Sequence, residues 1–252
     1  MTDFLTGRTV LISGTGGGLG RAAALRFARA GAQVFGSDID TRSNEETLRL
    51  VEAVSGKMIA DTVDVGDEHA VSEWVRTSVE RSGRLDVLVN NASAARFARM
   101  DQITVEDWRY TLRNELDSVF LPTLAAWPQL IRNGGVIINV ASVAGHRGSK
   151  ASGNSAHAAT KGAILALTKQ WALEGARHGV RAVSISPGFI LTPGTSFVME
   201  QPGMEAALTQ AIPAGRPGVP DDIVGMMVFV ASDEALYLSG TDIVIDGAMT
   251  AG

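Results

Sequence analysis

The sequence predicts an α/β fold, a doubly wound parallel sheet of about seven strands with helices on both faces. Short uninterrupted runs of Val, Ile and Leu alternate with longer helix-like segments from one end of the chain to the other. Strands that are apolar on both sides are typical of parallel sheets, because helices cover both faces of such a sheet. A glycine-rich turn, SGTGGGLG, directly after the first apolar run also fits a sheet of this kind.

The individual elements follow from this alternation. The segments predicted as strands are 10–12, 32–37, 57–63, 86–90, 135–141, 180–185 and 242–245. The segments predicted as helices are 21–30, 44–55, 68–81, 105–131, 157–178 and 220–232. Pro122 and Pro128 are candidate breaks in the fourth helix, because proline in a helix interior removes a hydrogen bond. Right-handed connections between successive parallel strands place helices on both faces of the sheet.

The chain is predicted to form a single domain, residues 1–252. No linker rich in Pro, Ser or Gly, no break in composition and no internal repeat divides the sequence. Its least regular stretch, residues 192–220, is interpreted as a mobile flap over the substrate, because long segments without regular structure are often functional lids.

Composition narrows the classes of function. The chain has 252 residues, and its 22 basic and 27 acidic residues give a net charge of −5, which argues against nucleic acid as a partner. It contains no cysteine, which excludes disulfides, thiolate catalysis and cysteine-bound metals. Its four histidines lack the spacing of a metal site, so no metal is expected. Neither a signal peptide nor a membrane-spanning run is recognisable, which favours a cytoplasmic protein without a membrane partner.

The glycine-rich turn is the first candidate site. Gly14, Gly18 and Gly20 lie between a predicted strand and a predicted helix. Because glycine has no side chain, such a turn lets the backbone approach a pyrophosphate, whose negative charge then meets the helix N-terminus. A tight turn without a ligand is the alternative. The strand before the turn, the helix after it and an acidic residue at the end of the second strand favour a nucleotide site.

Asp38, at the end of that second strand, is the candidate ribose-binding residue. A carboxylate there accepts hydrogen bonds from both ribose hydroxyls and repels the 2′-phosphate of NADP. The sequence therefore predicts that NAD(H) is preferred over NADP(H). A solvated turn residue is the alternative interpretation of Asp38. Arg42 lies so close along the chain that a phosphate contact from it stays open.

With these features the chain resembles the short-chain dehydrogenase/reductase family, and the resemblance covers nearly the whole sequence. The family's T-G-x-x-x-G-x-G, its Asp-Val pair, its N-N-A-G and its P-G-x-x-x-T have counterparts at residues 13–20, 64–65, 90–93 and 187–192. Ser13 replaces the usual threonine, and Ser93 replaces the usual glycine. The resemblance implies a Rossmann-type fold and a homotetramer. The cofactor contacts it implies are Gly14, Gly18, Leu19, Gly20, Asp38, Asp64, Val65, Asn91, Ala92, Lys161, Pro187, Gly188, Ile190 and Thr192.

The same resemblance implies a catalytic set with one departure. Asn114 matches the family's catalytic asparagine, which anchors a water chain, and Ser142 matches its catalytic serine, which hydrogen-bonds the substrate oxygen. Lys161 matches the lysine of Y-x-x-x-K, which lowers the pKa of the tyrosine and holds the ribose. The residue at the tyrosine position is His157. Neither of the chain's two tyrosines lies in this motif.

Histidine alters the proton chemistry at this position. A tyrosine titrates at ~10 and needs the lysine, whereas an unperturbed imidazole titrates at ~6.5 and is already a base at neutral pH. The positive charge of Lys161 further disfavours the imidazolium, so the sequence predicts oxidation of a secondary alcohol with His157 as base. The imidazole reaches ~2 Å less far than a phenol, so a water or a shifted substrate has to bridge the gap. His146, on the loop after Ser142, is a weaker candidate and is interpreted as a solvent-exposed residue.

Apolar residues near the predicted site indicate the kind of substrate. Phe97 follows the fourth predicted strand and Phe197 lies in the flap, so the substrate that contacts Ser142 and His157 is expected to be a fairly apolar small molecule. Three functions stay open. The chain is an NAD-dependent alcohol dehydrogenase, or an inactive nucleotide-binding subunit in a mixed oligomer with a tyrosine-bearing paralogue, or a non-redox dehydratase or isomerase with His157 as base.

Overall fold

Seven parallel strands form one sheet at the centre of the computed structural model. The strands are β1 (Thr9–Ser13), β2 (Gln33–Asp38), β3 (Lys57–Thr62), β4 (Val87–Asn90), β5 (Val136–Val140), β6 (Arg181–Pro187) and β7 (Thr241–Ile245). Their order across the sheet is β3-β2-β1-β4-β5-β6-β7, and all neighbouring strands are parallel. The predicted doubly wound parallel sheet is therefore confirmed.

The structure describes residues 4–149, 153–201 and 203–252. Three predictions extend beyond these residues. The prediction that no signal peptide is present rests in part on residues 1–3. The predicted loop after Ser142 includes residues 150–152, and the predicted flap includes Pro202. These residues lie outside the described part of the chain. No helix in the described part of the chain is long and apolar enough to cross a membrane.

Helices cover both faces of the sheet and create two hydrophobic cores. They are α1 (Gly18–Arg29), α2 (Thr41–Ala53), α3 (Glu68–Ser82), α4 (Val105–Leu112), α5 (Ser118–Asn133), α6 (Ser155–Gly175), α7 (Ser196–Met199), α8 (Met204–Ala211) and α9 (Pro220–Ala231). Successive strand residues point to opposite faces, so Val10 and Ile12 join the core under α1 and α9, whereas Leu11 joins the core under α3, α5 and α6. Each fully buried side chain of this size contributes about 1.5–3 kcal/mol.

The predicted helix 105–131 is interrupted by a π-helical segment and not at its two prolines. It begins with a capping box between Thr104 and Asp107 and continues as α4, a π-helical segment (Arg113–Asp117) and α5. Pro122 and Pro128 lie inside α5 and do not end it, so the candidate breaks at these prolines were wrong. The π segment adds a residue to one turn, and such turns are frequent at functional sites.

The predicted flap has some regular structure of its own. Two short helices, α7 and α8, lie within residues 192–220. An isolated parallel bridge between Ile190 and Gly218 brings the two ends of the segment together. Ala214 N, near its C-terminal end, donates a 3.1 Å hydrogen bond to Gly247 O in the body of the protein. Phe197 in α7 is 58% exposed, so the flap leaves this side chain uncovered.

Candidate active site

The candidate site lies at the carboxyl ends of the central strands. The chain proceeds in opposite directions across the sheet from β1 and β4, and the loops after these strands separate at that point. In open α/β sheets, ligands bind in the crevice that this reversal creates. The loops that follow β1, β4, β5 and β6 carry Gly14, Asn91, Ser142 and Thr192, so the topology brings these residues to one edge of the sheet. Asp38 ends β2, whereas His157 and Lys161 lie in α6.

The glycine-rich turn is held against the end of β4. Gly14 has φ +74°, and a Cβ built on it would lie 2.9 Å from the Cα of Ala92, so both its conformation and its surroundings require glycine. The hydroxyl of Ser13 accepts hydrogen bonds of 3.0 Å from the backbone N–H groups of Asn91 and Ala92. The Asn91 amide donates a 2.9 Å bond to Ser13 O. Asn91 and Ala92 therefore position the turn.

The start of α1 fits a dinucleotide phosphate. Gly17 precedes the helix, no side chain caps that helix, and a Cβ on Gly17 would meet nothing within 4 Å. The first N–H groups of a helix have no partner within the helix, so those of Leu19 and Gly20 are suited to an anion. Thr192 is close to this turn, because a Cβ built on Gly18 would lie 3.4 Å from the Cβ of Thr192.

Asp38 lies beside the turn, where the sequence predicts it. Its Oδ2 accepts a 2.8 Å hydrogen bond from Gly16 N, and its Oδ1 accepts a 2.9 Å bond from Asp40 N. Arg21, which sequence reasoning missed, donates a 2.6 Å bond to Gly16 O and forms an ion pair with Glu46 at 3.1 Å. The carboxylate of Asp38 is thus fixed at the rim of the crevice by two backbone donors.

The remaining predicted cofactor residues surround the same crevice. Asp64 accepts a 2.9 Å hydrogen bond from Gly66 N and pairs with Arg113 at 2.6 Å, and Val65 is buried. Burial alone would raise the pKa of Asp64, but Arg113 and the Gly66 amide lower it below its usual range. On the other side, Pro187 ends β6, and Gly188, Ile190 and Thr192 follow it toward Gly18.

Ser142 and Lys161 meet at the end of β5. The hydroxyl of Ser142 accepts a 3.1 Å hydrogen bond from Ala144 N. Lys161 is buried in α6, and its Nζ donates a 3.0 Å bond to Val140 O, two residues before Ser142. Burial lowers the pKa of Lys161, and the negative charge of Glu115 opposes this effect. His157 lies one helical turn before Lys161, on the same face of α6.

The side chain of His157 binds a buried glutamate. Nδ1 of His157 lies 2.9 Å from both carboxylate oxygens of Glu115. Ser93 Oγ donates a 2.7 Å hydrogen bond to Oε1 of the same carboxylate, and Thr160 Oγ1 donates a 2.6 Å bond to Oε2. The ring of Phe97 lies 5.4 Å from the imidazole, between centroids. Among the described residues, no hydrogen-bond partner is found for Nε2 of His157.

The charge of Glu115 is stabilised by these contacts. Burial by itself raises the pKa of this carboxyl, but the hydrogen bond from His157, the charges of Lys161 and His157 and the bond from Thr160 outweigh it and lower the pKa to about 2. Glu115 is therefore a carboxylate at neutral pH. The expectation that Lys161 alone sets the charge beside His157 was incomplete, because this carboxylate contacts the imidazole directly.

Glu115 is the member of this cluster that sequence reasoning missed, and Asn114 is the predicted residue that the structure leaves outside the cluster. The Asn114 amide donates a 2.8 Å hydrogen bond to Tyr110 O and accepts a 3.3 Å bond from Arg113. Thr111, Glu115 and Val119 are all buried and recur every four residues. This spacing was the signal in the sequence that Glu115 points inward.

His146 is separate from the cluster around His157. His146 is exposed, in agreement with its interpretation from the sequence. Its Nε2 also lies 2.8 Å from Oδ2 of Asp242. The other oxygen of Asp242 accepts bonds of 2.6 and 2.9 Å from Ser184 and Ser186. His146 thus links the loop after β5 to β7.

Comparison with known proteins gives matches along the whole chain. The family model described as enoyl-(acyl carrier protein) reductase matches residues 14–250. The 3-oxoacyl-(acyl-carrier-protein) reductase of Thermotoga maritima is 37% identical over 246 residues, which are 97% of this chain and 98% of the relative.

Solved structures give the same result. A 7α-hydroxysteroid dehydrogenase complexed with NADH and 7-oxo glycochenodeoxycholic acid has a TM-score of 0.92 at 28% identity. The match covers 98% of this chain and 95% of the dehydrogenase chain. A putative 2-deoxy-d-gluconate 3-dehydrogenase from Agrobacterium tumefaciens with bound NADP has a TM-score of 0.89 at 30% identity and covers 99% of both chains.

These matches agree with the motif order in the sequence and with the sheet order in the structure. They extend from the glycine-rich turn to the last strand, so they include the elements that carry His157 and the flap as well as the nucleotide-binding half. The chain belongs to the short-chain dehydrogenase/reductase family.

Proposed function

We propose that this protein is an NAD(H)-dependent oxidoreductase that interconverts a secondary alcohol and a ketone on a fairly apolar small molecule. The observation that carries the proposal is the His157 imidazole, whose Nδ1 is bound by Glu115 and whose ring lies beside Phe97. The family relatives support the reaction class, since one is a 3-oxoacyl reductase and another a hydroxysteroid dehydrogenase.

His157 is the proton-transfer residue in this proposal and takes the position of the family's tyrosine. In the oxidation direction its Nε2 accepts the hydroxyl proton of the alcohol, and in the reduction direction it returns that proton to the carbonyl oxygen. Ser142, by resemblance to the family, donates a hydrogen bond to the substrate oxygen. A bound nicotinamide supplies the two-electron acceptor or donor. Phe97 and Phe197 offer the apolar surface for the rest of the substrate.

The preference for NAD(H) rests on Asp38. Its carboxylate is fixed beside Gly16 at the rim of the crevice, where it would accept hydrogen bonds from ribose hydroxyls and repel a 2′-phosphate. Titration of the purified protein with NADH and NADPH tests this without knowledge of the substrate. Tighter binding of NADH is expected. Equal or tighter binding of NADPH would contradict the assignment of Asp38, and binding of neither would contradict the dehydrogenase function itself.

The reaction is tested with a panel of apolar secondary alcohols and NAD, followed by NADH absorbance. His157→Ala is expected to lower kcat by about 10²–10⁴-fold, the usual contribution of a positioned acid–base group. His69→Ala, which removes an exposed histidine on α3, is the matched control and should keep full activity. A His157→Ala protein with the kcat of the wild type would overturn the proton-transfer role of His157.

The two other hypotheses predict different results in the same experiment. A wild-type protein that binds NADH, oxidises none of the alcohols and gains reductase activity in His157→Tyr would indicate the inactive-subunit function. Conversion of a substrate without any change in NADH absorbance, lost in His157→Ala, would indicate the non-redox function.

A further inference from the structure

We propose that Glu115 is a positioning residue that holds His157 in the tautomer with the proton on Nδ1, so that Nε2 carries the lone pair that faces the substrate. This inference rests on the proposed function of His157 and deepens it. Glu115 acts through the imidazole, in the manner of a carboxylate that orients a catalytic histidine.

The geometry leaves only one tautomer compatible with a carboxylate. An ionised carboxylate only accepts hydrogen bonds, so the atom 2.9 Å from both oxygens of Glu115 has to be a protonated nitrogen. The donors Ser93 and Thr160 bind one carboxylate oxygen each and restrict rotation of the carboxylate. The side chain of Glu115 is 1% exposed and that of His157 17% exposed, so water competes little for this bond.

Two departures from the family pattern meet at this carboxylate. By the resemblance of the sequence motifs, Ser93 stands where the family has glycine, and His157 stands where it has tyrosine. The two are far apart in the sequence, yet both contact Glu115. A glycine at position 93 has no hydroxyl to donate. The replacement of tyrosine by histidine therefore coincides with a hydrogen-bonded environment that suits a histidine.

The charged groups around the pair support an ionised Glu115. The positive charge of Lys161 on α6 acts on it, and its hydrogen-bond donors come from the loop after β4 and from α6. Arg113, in the same π segment, pairs with Asp64 outside the cluster, at 2.6 Å. At the imidazole, the negative charge of Glu115 offsets the positive charge of Lys161.

The first experiment measures the tautomer in the wild-type protein. The chain has four histidines, so selective ¹⁵N-histidine labelling and the variant His157→Gln assign the His157 resonances. The expected result near neutral pH is a protonated Nδ1 and an unprotonated Nε2 in the neutral ring. A neutral ring with its proton on Nε2 would overturn the inference. The measurement needs no turnover, so it stays decisive even where the dehydrogenase function fails.

The second experiment compares Glu115→Gln with Glu106→Gln, a matched change of a surface carboxylate on α4 that is 83% exposed. Loss of the orienting carboxylate costs up to about 10⁴-fold in kcat in the best-studied histidine–carboxylate pairs. We expect a fall of at least about 100-fold in Glu115→Gln, with KM and NADH affinity changed by less than about threefold. Glu106→Gln should match the wild type.

The tautomer of His157 in the variant separates positioning from a merely structural role. In Glu115→Gln the Nδ1 proton loses its carboxylate acceptor, so the fraction of neutral rings with the proton on Nε2 should rise. Ser93→Gly keeps the carboxylate, removes one of its donors and is expected to give an intermediate fall in kcat. A folded Glu115→Gln protein with the wild-type tautomer and the wild-type kcat would contradict the proposal.

Discussion

Ser93, on the loop after β4, and His157, in α6, both lie against the buried carboxylate of Glu115. A buried carboxylate is costly unless donors satisfy it, and here three side chains do so. The same contacts that would orient the imidazole also keep the carboxylate ionised. At the scale of single residues, His157 is therefore one member of a hydrogen-bonded cluster around Glu115.

The lowered pKa of Glu115 predicts a specific response to acid. A carboxyl whose folded pKa is about 2, below the ordinary 4.5, stabilises the folded state above pH 4.5 and loses that contribution as the pH falls toward 2. The contribution is on the order of 1–3 kcal/mol. Chemical denaturation of wild type and Glu115→Gln across this range should show a stability difference that shrinks with acid. A difference independent of pH would contradict the ionised state.

Asp38 predicts cofactor selectivity. Asp38→Asn removes the negative charge, so NADPH affinity should rise while NADH affinity falls by about 10-fold, the loss of one charge-assisted hydrogen bond. Binding titrations with both cofactors measure the change. Glu45→Gln, an exposed carboxylate change on α2, is the control and should leave both affinities unchanged. An Asp38→Asn protein with the wild-type NADH/NADPH ratio would show that another residue selects the cofactor.

At the scale of elements, the π segment between α4 and α5 determines which residue enters the site. Asn114 and Glu115 are adjacent, yet Asn114 bonds to Tyr110 O whereas Glu115 is buried against His157. Consecutive helical residues point about 100° apart, so a local change of helix type decides which of the two faces the crevice. The motif resemblance points to this region, but a sequence motif does not determine the orientation of its side chains.

The glycine-rich turn provides a test at the same scale. Gly14→Ala should destabilise the protein by about 1–3 kcal/mol, because its φ is +74° and the new Cβ would lie 2.9 Å from the Cα of Ala92. Gly17→Ala is the control, since a Cβ there would meet nothing within 4 Å. Thermal unfolding of the two variants measures the difference. Equal melting temperatures would show that the turn is not constrained as described.

At the scale of the whole molecule, exposed apolar residues bear on the assembly. Leu173 at the end of α6 is 76% exposed, Tyr237 before β7 is fully exposed, and Val244 in β7 is 41% exposed. The family resemblance implies a homotetramer, and these exposed side chains lie on α6, on β7 or just before β7. Exposed apolar area of this kind is typical of interfaces.

We therefore expect the protein to sediment as a tetramer and the double variant Leu173→Asp, Tyr237→Ala to sediment as a smaller species. Analytical ultracentrifugation measures both. Met100→Gln, at another exposed apolar residue, is the control and should keep the wild-type mass. A monomeric wild-type protein would contradict the homotetramer, and a tetrameric double variant would place the interface elsewhere.

The sheet, its two apolar faces and the glycine-rich turn were predictable from local sequence. Strand runs such as residues 10–12 are apolar at every position, and the turn needs glycine at Gly14 for reasons that act within a few residues. The environment of His157 was not predictable in this way. Its carboxylate partner is 42 residues away in the sequence and enters through a π turn, and such long-range contacts arise only when the chain packs. Local pattern therefore determined the sheet and its glycine-rich turn, and tertiary packing decided which charged groups lie beside His157.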